Sequence, residues 1–186
     1  MKELGREVFE NISGKHPELD LVNRVTRIYR DARRLFGRGP YKESLWFSVE
    51  APSEDWSGAP TFWFEIGPEK WSYGLGYYNA GAKTMAKFRA RMNNDGKRFE
   101  KLIAPLKKQD VFVLEGDEYS RKRTSPFPVL AEWYNRKTFS LMHEEKNSEL
   151  LYSPELVGRI TTGFEFLMPL YIYFSTLAGD PEPREM

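Results

Sequence analysis

The sequence has no cysteine, which excludes a disulfide framework, a thiol nucleophile and any thiolate metal site. Its two histidines, His16 and His143, are too few for a multi-histidine zinc centre. Long apolar runs are missing. The most apolar stretch, Phe164 to Leu177, is about 14 residues and contains Pro169, whereas a membrane helix needs roughly 20. Met1 to Asn11 carries five charges and no apolar run of the signal-peptide kind, so a cytoplasmic location is expected. Net charge is nearly absent as well, +1 from 28 basic and 27 acidic groups, which excludes a uniformly basic nucleic-acid module. No repeats or low-complexity tracts occur. What is present is material for a core: 186 residues, 40 % hydrophobic and 15 % aromatic, suited to a single domain spanning 1–186.

Periodicity divides the chain into elements. Leu4, Val8 and Ile12 recur at helical spacing, and His16-Pro17 ends that first helix. From Leu19 to Phe36 the positions Val22, Val25, Ile28, Tyr29, Ala32 and Phe36 also fit a helical period, with Arg33 at the apolar edge. Arg24 to Tyr29 can equally alternate as a strand. Leu45 to Glu50 alternates with period two, and Ala51 to Pro60 reads as a loop. Thr61 to Ile66 and Trp71 to Tyr78 then flank Gly67-Pro68-Glu69-Lys70 as a hairpin. One face of its second strand carries Trp71, Tyr73, Leu75 and Tyr77; the other holds Ser72, Gly74, Gly76 and Tyr78. A face left bare by two glycines implies that another element or a ligand comes close.

Beyond the hairpin, Met85, Phe88 and Met92 mark one helix. Phe99, Leu102, Ile103 and Leu106 mark another, after a break at Asn94-Asp95-Gly96. Val111 to Leu114 and Thr138 to His143 read as strands, and Pro128 to Arg136 as a brief helix. Ser153-Pro154 opens a last helix with Pro169 inside it, and 179–186 is expected to be a disordered tail. The order favours an α+β fold, an antiparallel sheet built around a central hairpin with helices packed on it.

Charge is balanced only in sum. Residues 24 to 42 carry a net of +6 and residues 83 to 123 another +6, with −5 between them over 43 to 82. Arginine's rigid, permanently charged fork suits phosphate or carboxylate, so the first block is a candidate anion site. The plainer expectation for its outward arginines is a solvated face paired with Glu54 and Asp55. Aromatics interleave with these cations, yet no RNA-recognition pattern or helix-turn-helix signature is present, so nucleic acid is not expected as a partner. Gly37-Arg38-Gly39-Pro40 lacks phosphate-loop spacing, and Gly74-Leu75-Gly76 lies inside a strand. His143-Glu144-Glu145 lacks a zincin's second histidine, and His143 is expected as a satisfied, half-buried side chain. No cofactor and no metal is expected.

The run Arg27 to Lys42, with Arg30-Asp31-x-Arg33 followed by Pro40-Tyr41-Lys42, resembles a family of mostly bacterial proteins, domain of unknown function 2461. The likeness continues through Trp46-Phe47, Phe62 to Ile66, Tyr73 to Tyr78, Arg89, Trp133 to Lys137 and Pro169-Leu170, about 20 to 178 in all. Arg34 and Leu35 depart from the phenylalanine and serine commoner at those places in the family. Many family members also begin with a tryptophan- and asparagine-rich segment, and this chain is expected to start after it. The resemblance implies an α+β cytoplasmic protein and no established activity.

Three functional readings follow. In the first, a small phosphate- or carboxylate-bearing ligand binds at Arg30, Asp31, Arg33, Tyr41, Lys42, Tyr73 and Tyr78, near Gly74 and Gly76. In the second, an enzyme acts on such a molecule with Asp31 or Glu65 as base. In the third, the Arg-Asp-Arg motif is an internal ion-pair network and function lies on a partner surface.

Overall fold

A computed structural model describes residues 1–31, 33, 35–37, 39–53 and 58–183. The described residues form an α+β architecture of four α-helices and a six-stranded antiparallel sheet. The strands are β1 (Val22–Val25), β2 (Leu45–Glu50), β3 (Pro60–Ile66), β4 (Lys70–Tyr77), β5 (Val113–Glu115) and β6 (Ser140–Lys146). Their order across the sheet is β1-β2-β3-β4-β6-β5. The helices are α1 (Lys2–Lys15), α2 (Ala82–Ile103), α3 (Ala131–Tyr134) and α4 (Glu155–Ser175).

The chain forms two compact units, and β3, β4, β6 and α4 each contribute residues to both. The first unit holds 1–52, 62–74 and 143–166. Its core is aromatic: Phe47 stacks on Phe64 at 5.5 Å, Phe62 on Phe164 at 4.6 Å and Trp71 on Tyr73 at 5.6 Å. Val8 and Ile12 of α1 are fully buried, as the helical spacing predicts, and α1 ends just before His16-Pro17.

The second unit holds 53–61, 75–142 and 167–186. Its core gathers Phe88 and Phe99 of α2, Trp133 of α3, Phe139, and Phe174 of α4. The expected break in α2 falls at Asp95, whose backbone leaves the helical region (φ −145°, ψ 57°). Its Oδ1 accepts the Arg98 backbone N–H at 3.3 Å, so Asp95 caps the second half of the helix. Gly96 follows because a Cβ there would lie 2.3 Å from the Phe127 ring.

One sequence expectation fails outright. The described residues of Leu19 to Phe36 form no α-helix: a short 3-10 turn, Pro17–Leu19, leads into β1, which pairs with β2 from Val22↔Glu50 to Val25↔Phe47. The strand alternative at Arg24 to Tyr29 is met only at Arg24 and Val25, since β1 begins two residues earlier and ends at Val25, with an isolated bridge at Tyr29. Val22 and Val25 suit a pleated surface, and the partner that stabilises them lies more than twenty residues away in sequence. Arg33 therefore sits at no apolar edge; its side chain is 88 % exposed.

Toward the end of the described residues, two acidic side chains pair with α2. Arg91 of α2 donates to both Asp180 carboxylate oxygens at 2.6 Å, and Lys83 pairs with Glu182 at 3.1 Å. Those Arg91 hydrogen bonds hold the Asp180 carboxyl below its ordinary range. A depressed folded-state value stabilises the fold above the unfolded one, near pH 4, and that stabilisation is lost as pH falls below it. Asp180→Asn is expected to cost about 1–2 kcal/mol at pH 7 and progressively less toward pH 2. Chemical denaturation across that range checks it; an unchanged difference at every pH would refute the pairing.

Candidate functional site

Beyond β1 the described residues 26–31 and 39–43 run as a two-stranded ribbon. The Thr26 N–H donates to Trp46 O at 2.9 Å, extending the β1–β2 ladder. In that register Tyr29 would face Glu43. Instead Tyr29 pairs with Tyr41, two residues out of step, with Arg30 N–H to Pro40 O and Lys42 N–H to Ile28 O, both 2.8 Å. The Tyr29 and Tyr41 rings lie side by side, 5.4 Å apart, and both are exposed. Strand alternation puts Arg30 and Lys42 on the other face of the ribbon from this ring pair.

Of the residues named from sequence, Arg30, Asp31, Arg33, Tyr41 and Lys42 lie on this ribbon and its tip. Arg30 Nε donates to the Tyr41 carbonyl at 2.7 Å and its Nη2 to Glu43 Oε1 at 3.0 Å. Asp31 accepts Arg33 Nε at 3.0 Å and Nη2 at 2.9 Å, plus the Arg33 backbone N–H at 3.0 Å. Lys42 Nζ donates to the Thr26 hydroxyl. Among the described residues these contacts are local, each within the 26–43 stretch. Asp31 accepts from Arg33 through both carboxylate oxygens, which counts against a role as general base. Arg34, Arg38, Glu54 and Asp55, and with them the expected pairing of outward arginines to the acidic loop, lie outside the described residues.

The two remaining tyrosines are elsewhere. Tyr73 is a core residue, 1 % exposed, stacked on Trp71 and edge-on to His143 at 5.3 Å. Burial pushes its hydroxyl above the ordinary tyrosine range, with Arg159 pulling it back. Tyr78 follows β4 in the second unit and is 77 % exposed. At Gly76 the bare strand face is filled by the protein itself, since a Cβ there would lie 2.7 Å from Phe139 O. Both histidines sit beside carboxylates, His16 at 3.1 Å from Glu165 and His143 at 3.4 Å from Glu145. Among the described residues no three His, Asp or Glu side chains gather as metal ligands. Nor is any described helix long and apolar enough to cross a membrane.

Sequence reasoning missed Glu43, the carboxylate that Arg30 grips, and Tyr29, the partner ring of Tyr41. Both follow from the shifted ribbon register, which no periodicity in 19–36 records.

A family model described as Conserved hypothetical protein (DUF2461) matches residues 1–173. The chain belongs to this family. The DUF2461 match takes in α1 as well as the ribbon, so it begins earlier than the expected 20. It also covers Tyr73 to Tyr78, Arg89 and Trp133 to Lys137. The description attached to DUF2461 names no reaction and no ligand. Comparison with the curated proteins finds no match.

Proposed function

We propose that this DUF2461 protein binds a small anionic ligand, phosphate- or carboxylate-bearing, on the Arg30–Lys42 face of the ribbon. One observation carries the reading: the Arg30 guanidinium is pinned through Nε by a backbone carbonyl, while its outer Nη2 already holds a carboxylate. That carboxylate belongs to Glu43, whose side chain is 82 % exposed. The Arg30 side chain is only 16 % exposed, so a ligand oxygen that displaces the exposed Glu43 carboxylate exchanges one partner for another and leaves the guanidinium paired. The guanidinium stays aimed whether or not the ligand is there. Lys42, pointing to the same face, adds a second positive charge.

The reading predicts opposite effects for the two partners. Glu43→Gln removes an internal competitor and is expected to tighten binding of citrate or pyrophosphate by roughly two- to five-fold. Arg30→Gln removes the fork and is expected to weaken it at least ten-fold. Isothermal titration of the full chain with each anion reads both. Equal affinities in the parent and both variants would sink the proposal.

A further inference from the structure

Four residues from three separate stretches of the second unit meet. The guanidinium carbon of Arg89, on α2, lies 5.4 Å from the centre of the Tyr119 ring. That of Arg123 lies 5.8 Å from the same centre, and the Lys137 ammonium 5.9 Å. One aromatic face attracts a cation, but it offers no acceptor for the many N–H donors of three. Among the described residues none of the three forms an ion pair with a carboxylate. Their neighbour Arg136 is the contrast: it is buried, and donates to Glu132 at 2.6 Å and to the Gly116 carbonyl. The Arg136 guanidinium is matched by a carboxylate, and among the described residues those of Arg89 and Arg123 are not.

Arg89 sharpens the point. It is 7 % exposed, and its Nη1 is buried with no hydrogen-bond partner among the described residues. A buried charged donor left unpaired is costly, and such exceptions in a folded protein ask for a reason.

The backbone holds this gathering of like charge in place. Buried Asn135 accepts the Arg123 N–H through Oδ1 at 2.7 Å, and its Nδ2 donates to the Arg123 carbonyl at 3.1 Å and to the Ala131 carbonyl at 2.9 Å. The Tyr119 N–H donates to Asn135 O at 2.9 Å, and the Lys137 N–H to Asp117 O at 2.7 Å. The loop bearing Tyr119 and Arg123 is therefore clamped to the segment bearing Lys137. Repulsion among the cations is borne by the fold before any ligand arrives, which is what preorganisation for an anion requires.

We infer that Arg89, Tyr119, Arg123 and Lys137 form a binding site for a phosphate-bearing small molecule. The exposed Arg123 and Lys137 contact the phosphoryl oxygens, and Arg89 supplies the buried charge that the anion balances. Three cations call for more than a single negative charge, so a phosphate dianion is preferred over a monocarboxylate. The site shares no residue with the ribbon.

The test uses the full chain, with inorganic phosphate as probe and acetate at matched ionic strength as control, read by thermal shift and phosphorus NMR. Saturable phosphate binding at millimolar levels is expected, with no comparable effect of acetate. Arg123→Gln and Lys137→Gln, both at exposed positions, are each expected to weaken phosphate binding about ten-fold, with a phosphate-free melting temperature no lower than the parent's because repulsion is relieved. Arg30→Gln is expected to leave this binding intact, which separates the site from the ribbon. Absence of saturable binding up to about 10 mM phosphate would overturn the assignment. So would undiminished binding in the Arg123→Gln, Lys137→Gln double variant, equal binding of acetate, or loss of phosphate binding in Arg30→Gln alone.

Discussion

Phe88→Ala is expected to destabilise the protein by about 3–5 kcal/mol and to lower its melting temperature by roughly 6–20 °C. Phe88 is fully buried in the second unit, where its ring meets those of Phe99 at 5.1 Å, Phe139 at 5.5 Å and Phe174 at 5.5 Å. Two of these contacts are edge-on, at 85° to Phe99 and 83° to Phe174. Edge-to-face geometry adds to the apolar area buried, because the positive ring edge meets the negative face. Alanine removes the ring and leaves a void that large, rigid neighbours fill poorly. Phe88→Leu keeps most of the volume and is expected to recover more than half of the loss. Urea unfolding measures both, and a loss below about 1 kcal/mol for the alanine variant would show that this cluster is not the core of its unit.

Gly76→Ala is expected to cost about 3 kcal/mol for the sake of one methyl group. The added Cβ would lie 2.7 Å from Phe139 O and 2.8 Å from Ser140 Cα, and both are backbone atoms. They cannot step aside without disturbing the approach at which Tyr77 N–H donates to Phe139 O at 3.3 Å. Gly158→Ala is the matched control. Gly158 lies in the first turns of α4 with nothing within 4 Å of the added carbon, so the same substitution is expected to stabilise by about 0.5 kcal/mol. The contrast also decides between the two meanings of a glycine-bare strand. If Gly76 kept a space open for a ligand, alanine would leave the melting temperature unchanged and reduce only binding.

The elements that sequence reading placed correctly share a cause. In α1, in the β3–β4 hairpin, at the Asp95 break and through α4, the deciding signals lie within a few residues of one another: apolar period, turn chemistry, capping. At 19–36 the local signal was ambiguous. Val22 and Val25 fit one face of a helix and also the pleat of a strand, and the strand exists because β2 supplies its hydrogen-bonding edge. Asp180 and Glu182 have no local reason for order, and they are held by Arg91 and Lys83 of α2.

The candidate sites were legible to different depths. The ribbon's Arg30, Tyr41 and Lys42 carry a family-matching spacing, so the motif could be found by eye, although Glu43 and Tyr29 could not. For the Tyr119 cluster the sequence offered a basic stretch over 83 to 123 with a net of +6, and a family likeness at Arg89 and at Trp133 to Lys137 that did not join them into one place. Most of that charge is ordinary solvated surface, and Lys137 lies outside the stretch altogether.

By itself the sequence determined the chemistry that is available: no thiol, two histidines, opposed blocks of charge under a near-zero total, and enough aromatic residues for a core. It also determined the elements whose stabilising interactions are local. The tertiary structure decided which charges are matched and which are not. Arg136 finds Glu132, Arg91 finds Asp180 and Arg30 finds Glu43, while Arg89, Arg123 and Lys137 converge on one ring. The reason is physical: the energy of a charge depends on distance and burial, and neither is a property of position along the chain.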